Sequence, residues 1–226
     1  MGDSVVNGGV LTDHKDLATT ILQEQLDPSR TKIQVCNIGV GSWGPGNCVG
    51  YFRKYQHIIG TNDILVVEVN SHDLWEDDPK QTGGRNIGKD IAMPDHKPWC
   101  ALWDGFGRYL MPRIRIILGL SKVNTKVDVP KWEEDSKNEQ AKYNLIMLDE
   151  LFSLPFRGKA LLIWRSRQEV RNGSETAGES AFRLWAKSRG IQVISVEANA
   201  DEDYRDKIHP NPYGQKKIAE AIYRTL

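Results

Sequence analysis

Short apolar runs alternate with helix-patterned stretches along this chain, and that alternation limits the fold more than any other feature. Ile33 to Cys36, Ile64 to Val69, Ala160 to Trp164 and Ile191 to Val196 read as buried strands, each ending where a polar loop begins. Helical spacing fills the intervals. Leu17, Ile21, Leu22 and Leu26 share one face over residues 12–26, and Asp27-Pro28 stops that helix. A helix near 47–58 turns Val49 and Phe52 inward, and one near 138–153 aligns Tyr143, Ile146, Met147 and Leu151. Another, near 176–189, ends at Gly190, a residue suited to the left-handed position after a helix; the last helix follows Pro212. Strands alternating with helices predict an α/β fold with a mainly parallel sheet, whose binding crevice lies at the carboxyl ends of the strands.

With 226 residues, 39% of them hydrophobic, the chain can bury a core as a single domain spanning 1–226. The alternation breaks at about 76–135, where Gly83-Gly84, several prolines, Trp99, Trp103 and Trp132 sit among many charges. This stretch reads as an insertion over the sheet. Thirty basic residues balance thirty acidic ones, so no net field recruits nucleic acid. No apolar run approaches the roughly 18 residues of a membrane span. Cys36, Cys48 and Cys100 are too scattered for a disulfide framework or a zinc site and are expected as reduced thiols. The start, MGDSVV, carries no export or lipidation signal, so the default expectation is cytoplasmic. Oligomeric state is not legible.

Four loop segments hold the residues of chemical interest. Gly2-Asp3-Ser4-Val5 places a hydroxyl in a small-residue turn before a helix, where Ser4 is either an exposed nucleophile or a helix cap. Asp206-Lys207-Ile208-His209-Pro210 follows the last strand. Its three-residue spacing lets a carboxylate hold the imidazole Nδ1 and leaves Nε2 free to take a proton from a serine; otherwise His209 is an exposed loop histidine. Between them lie Asn37-Ile38-Gly39-Val40-Gly41-Ser42-Trp43-Gly44 and Glu68-Val69-Asn70-Ser71-His72-Asp73. The first can aim backbone N–H groups at an oxyanion, and the second can add a side-chain donor.

In this order the four segments resemble the SGNH hydrolase superfamily, also called GDSL-type esterases and lipases, with motifs spread over residues 2–214. The resemblance implies a three-layer α/β/α, flavodoxin-like fold. It implies Ser4 as nucleophile, His209 as general base, Asp206 as the group orienting it, and Gly41 and Ser42 as oxyanion donors. Two departures stand out. The family's G-x-N-D falls on Asn70-Ser71-His72-Asp73, so His72 stands where the donor asparagine is expected, with Asn70 as the alternative. The family also carries a central strand just before the serine turn, whereas this sequence begins at the turn; its neighbours would have to close up or leave backbone groups unpaired.

The implied activity is two-step hydrolysis of a small acyl ester, an acetyl group on a carbohydrate being favoured by Trp43, Trp75 and the insertion tryptophans as ring platforms, with no metal and no cofactor. Buried tryptophans packing the insertion explain the same residues. A histidine base implies a rate rising through roughly pH 6 to 7. The segment around Trp43 leans toward bacterial relatives. Alternatives are an O-acyltransferase using the same site, a non-catalytic binding or scaffold protein, and metal-dependent hydrolysis through His72, Asp73, Asp77 and His209.

Overall fold

The parallel sheet consists of β1 (Ile64–Asn70), β2 (Gly158–Trp164) and β3 (Gln192–Ser195), in that order, in a computed structural model that describes residues 1–9, 12–41, 43–58, 60–75, 100, 106, 110–111, 114, 118 and 134–226. Most of the expected insertion, including Asp77, His96, Trp99, Trp103 and Trp132, lies outside the described residues, as does Ser42. Val67 pairs with Leu161 and Leu161 with Val193, so β2 is the middle strand.

Helices cover both faces, because period-2 alternation sends successive side chains to opposite sides. Leu161 and Ile163 of β2 join Leu65, Val67 and Val69 of β1 under α3 (Pro45–Lys54), α4 (Glu134–Ser153) and α6 (Ala177–Ser188). Val49, Phe52, Leu148, Leu151, Phe182 and Trp185 fill that layer. Ala160, Leu162 and Trp164 face the other way and meet Val5 of α1 (Ser4–Asn7), Leu22 of α2 (Ala18–Leu26) and Ile218, Ala219 and Ile222 of α7 (Pro212–Thr225). The result is the expected three-layer α/β/α arrangement. A short helix not read from the sequence, α5 (Arg167–Asn172), follows β2 behind a Ser166 cap. Gly190 does adopt the left-handed conformation, φ 65°, just past α6.

The expected strand at Ile33 to Cys36 is absent, and Ile33 is 44% exposed. Side chains of the preceding helix region take its backbone groups instead of a neighbouring strand. Gln23, itself buried, donates to Ile33 O at 3.0 Å and accepts from Val35 N at 2.7 Å. The Asp27 carboxylate accepts from Lys32 N and Ile33 N at 2.7 and 3.0 Å.

Met1 and Gly2 occupy the position between β1 and residues 38–40. Met1 donates through its ammonium to Val66 O and accepts from Glu68 N, both at 2.8 Å. Gly2 donates to Ile38 O and accepts from Val40 N, both at 3.2 Å. The expected closing-up of the neighbours is therefore not needed at this end of the sheet, where two residues make the bridge. Burial pushes the Met1 ammonium below its ordinary pKa of 8.0.

Candidate active site

The serine turn is built around Asp3. Its Oδ1 accepts from Val5 N at 2.7 Å, capping α1, and Asn7 N returns to Asp3 O at 3.2 Å. Ser4 thus stands as the first residue of a one-turn helix, partly exposed. A buried glutamine on α7 holds this helix from behind: Gln215 Nε2 donates to Val5 O and Gln215 Oε1 accepts from Ala18 N, each at 2.8 Å.

The histidine loop follows β3 and is tied down at several points. Trp164 Nε1 donates to Ile208 O at 2.7 Å, Tyr204 Oη donates to Arg165 O at 2.5 Å, and their rings pack 5.0 Å apart. Asn211 caps α7 by accepting from Tyr213 N and Gly214 N. Arg205 reaches back to Gly8 O and Thr12 Oγ1, at 3.3 and 3.0 Å, and so links this loop to the segment after Ser4.

Within that loop Asp206 Oδ1 accepts from the N–H groups of Ile208 and His209 at 2.9 and 2.8 Å. Its Oδ2 lies 2.8 Å from His209 Nδ1, and His209 Nε2 lies 2.9 Å from Ser4 Oγ. The fold therefore brings a hydroxyl, an imidazole and a carboxylate, 205 positions apart at the extremes, into one hydrogen-bonded line. Desolvation alone would raise the Asp206 pKa, but hydrogen bonds from those two N–H groups and the His209 ring outweigh it and hold the group at about 2.

A depressed carboxyl adds stability only while it is ionised. Its contribution is complete above the ordinary value of 3.8 and disappears as pH falls toward 2. Urea melts of wild type and Asp206→Asn are therefore expected to differ at pH 5 and to converge by pH 2. A gap that stays constant over that range contradicts this assignment.

The expected oxyanion residues are placed unequally. Gly41 lies in an exposed turn within the loop entering α3. Asn70 is 1% exposed and directs Nδ2 to Asp3 Oδ2 at 3.1 Å, so its amide serves the serine turn. His72 sits in a 3-10 turn, Ser71–Leu74, with its side chain 34% exposed and Nε2 3.8 Å from Asp73 Oδ1. Both His72 and His209 lie close enough to Asp3 for their charge to act on it.

That turn is braced from α5 and α6. Ser71 Oγ donates to the Glu169 carboxylate, and a Cβ at Gly178 would fall inside the Ser71 carbonyl oxygen, so only glycine lets α6 approach this closely. Glu179, 2% exposed, receives Arg165 and Arg183 and anchors α6 to the end of β2.

Trp43 is 2% exposed in the core, with its ring 5.8 Å from Tyr51, so it packs the fold and does not face a ligand. Trp75 is partly exposed. His14 and His57 are exposed. Among the described residues no group of three His, Cys, Asp or Glu side chains could hold a metal ion, and no helix is long and apolar enough to cross a membrane. Sequence reasoning missed Gln215 and Glu68. The only available signal was for Glu68, a single carboxylate inside an otherwise apolar strand, I-L-V-V-E-V.

No family model and no curated protein matches the chain. Two solved structures are similar to it throughout. A member of the lipolytic protein G-D-S-L family from Veillonella parvula superposes with a TM-score of 0.56 at 11% identity, covering 100% of this chain and 94% of that one. LAE5, an alpha/beta hydrolase enzyme from the metagenome of Lake Arreo, Spain, superposes at 0.54 with 16% identity, covering 99% and 91%. At such identities the likeness is one of fold: this chain folds as a G-D-S-L lipolytic protein does.

Proposed function

We propose that this protein is an ester hydrolase working by acyl transfer through Ser4. The single observation that carries the reading is the hydrogen-bonded line Ser4 Oγ, His209 Nε2, His209 Nδ1, Asp206 Oδ2. His209 takes the Ser4 proton as Oγ attacks the ester carbonyl, and hands it to the departing alcohol as the C–O bond breaks. Water then attacks the acyl-serine, His209 takes its proton, the acid leaves and the proton returns to Ser4. Asp206 holds Nδ1 protonated and balances the imidazolium.

The negative oxygen formed in each step is assigned to the backbone N–H groups of Ser4, Gly41 and Ser42 and to the His72 ring. Asn70 is left out of that set because its side chain is buried at 1% exposure and directed toward Asp3, whereas His72 is partly exposed. One such donor is worth about 3–4 kcal/mol in the transition state.

For substrate we propose a small acyl group, acetyl on a carbohydrate. This places Trp75, three residues past His72 and partly exposed, as the ring surface beside the donor loop. A fluorophosphonate probe and a panel of p-nitrophenyl esters of increasing acyl length test both levels. Labelling is expected in wild type and absent in Ser4→Ala, with turnover highest on acetate. No labelling of wild type would sink the hydrolase reading, and a preference for long chains would sink the acetyl assignment. Running the acetate reaction with and without an added sugar separates hydrolysis from transfer.

A further inference from the structure

Strand β1 carries two polar residues toward α1, Glu68 and Asn70, two positions apart and so on the same side of the sheet. Both meet Asp3. Asn70 Nδ2 donates to Asp3 Oδ2 at 3.1 Å, and Asp3 N donates to Glu68 Oε2 at 3.4 Å. The Glu68 and Asp3 carboxyl groups lie close enough for each to act on the ionisation of the other. All three side chains are buried, Glu68 at 5% exposure and Asp3 at 6%. The contact leaves no spare room, since a Cβ on Gly2 would come within 2.5 Å of Glu68 Oε2. The acyl-transfer chemistry above makes no use of Glu68.

We infer that Glu68 is a positioning residue for the Ser4 hydroxyl: its protonated carboxyl donates to Asp3 and so clamps the serine turn onto β1. This rests on the acyl-transfer reading of Ser4. Two neighbouring carboxyl groups, both buried and joined through the Asp3 N–H, do not both ionise. Asp3 has two donors from outside the pair, Val5 N–H and the Asn70 amide, whereas Glu68 Oε1 has no hydrogen-bond partner among the described residues. Burial raises the Asp3 pKa as well, but its Val5 N–H bond works against that rise whereas Glu68 is pushed well above its ordinary value, so the proton rests on Glu68 and the charge on Asp3.

Burial first, then the charges of Asp3 and Asp73, push Glu68 well above its ordinary 4.5. The other ionisable groups facing the pair are the Met1 ammonium with Cys48 beside it, and His72 and His209 on the Asp3 side. The sign follows from proton binding. The folded state holds a proton that the unfolded chain has released above pH 4.5, so the clamp weakens as pH rises through the folded value.

The test compares wild type, Glu68→Gln and Glu68→Ala by the pH profile of fluorophosphonate labelling, and by the infrared band of a protonated carboxyl at neutral pH. The band needs no activity. Wild type and Ser4→Ala are expected to show it and Glu68→Gln to lack it. The amide of Gln supplies the same donor without a titrating proton, so its labelling rate should stay near wild type and persist to higher pH. Glu68→Ala should label about 10- to 100-fold more slowly while still melting cooperatively, the cost of a nucleophile displaced by a fraction of an ångström.

The inference is overturned by a missing band in wild type, by Ala labelling as fast as wild type, or by Gln falling as low as Ala. If Ala does not fold, an alkaline limb unchanged in Gln overturns it. Should wild type show the band yet resist labelling, the hydrolase reading falls and the positioning role with it, while the buried acid pair stands.

Discussion

Replacing Ser4 by alanine is expected to lower kcat on p-nitrophenyl acetate by about 10⁶-fold, with His209→Ala close behind and the double variant scarcely worse than either. The magnitude follows from the two side chains acting as one unit. Without the hydroxyl there is no acyl acceptor, and without the imidazole 2.9 Å away the hydroxyl keeps its proton and remains a poor nucleophile. Asp206→Asn should cost less, about 10⁴-fold, because the base survives but loses the partner that fixes its tautomer and supports the imidazolium. Steady-state rates measured alongside circular dichroism check this. A folded Ser4→Ala that keeps a tenth of wild-type activity would remove Ser4 from the chemistry.

The largest effect on stability is expected at Gln215. Its side chain is completely buried and satisfies two backbone groups from different elements, Val5 O on α1 and Ala18 N at the start of α2. Leucine fills a similar volume but can make neither bond. Each buried backbone group left unpaired costs about 1–3 kcal/mol, so Gln215→Leu should destabilise the protein by about 2–6 kcal/mol. Urea denaturation monitored by tryptophan fluorescence reads that loss, and a change below 1 kcal/mol would show that both groups find other partners. Because one of the two bonds holds the helix that begins with Ser4, any folded Gln215→Leu should also label more slowly with a fluorophosphonate.

Much of the architecture was legible where local pattern and tertiary role coincide. β1, β2 and β3 lie within a residue or two of the runs Ile64 to Val69, Ala160 to Trp164 and Ile191 to Val196, because the largely buried β1 and β2 are mostly apolar and the short β3 still turns Ile194 into the core. Ile33 to Cys36 has a similar composition yet forms no strand. What decided its state was whether a paired edge lay alongside, and Gln23 and Asp27 supplied its hydrogen bonds instead. Local sequence does not record that competition. The place of Trp43 is undecided by sequence for a related reason: a tryptophan beside a glycine loop looks the same whether its ring faces solvent or, as here, Tyr51 in the core.

The sequence by itself determined the layered α/β class and the two loops bearing Ser4 and His209, because each depends on spacing within a few residues: apolar periodicity in one case, Asp206 to His209 in the other. The pairing of those two loops was implied only through the family resemblance, and the tertiary structure alone decided that Asn70 serves Asp3 and that Glu68 and Gln215 hold the serine turn from beneath. Those contacts join residues 65 to 210 positions apart. Partners at such separations are chosen by the crossing of strands and helices, and that choice leaves no trace in the neighbourhood of either residue.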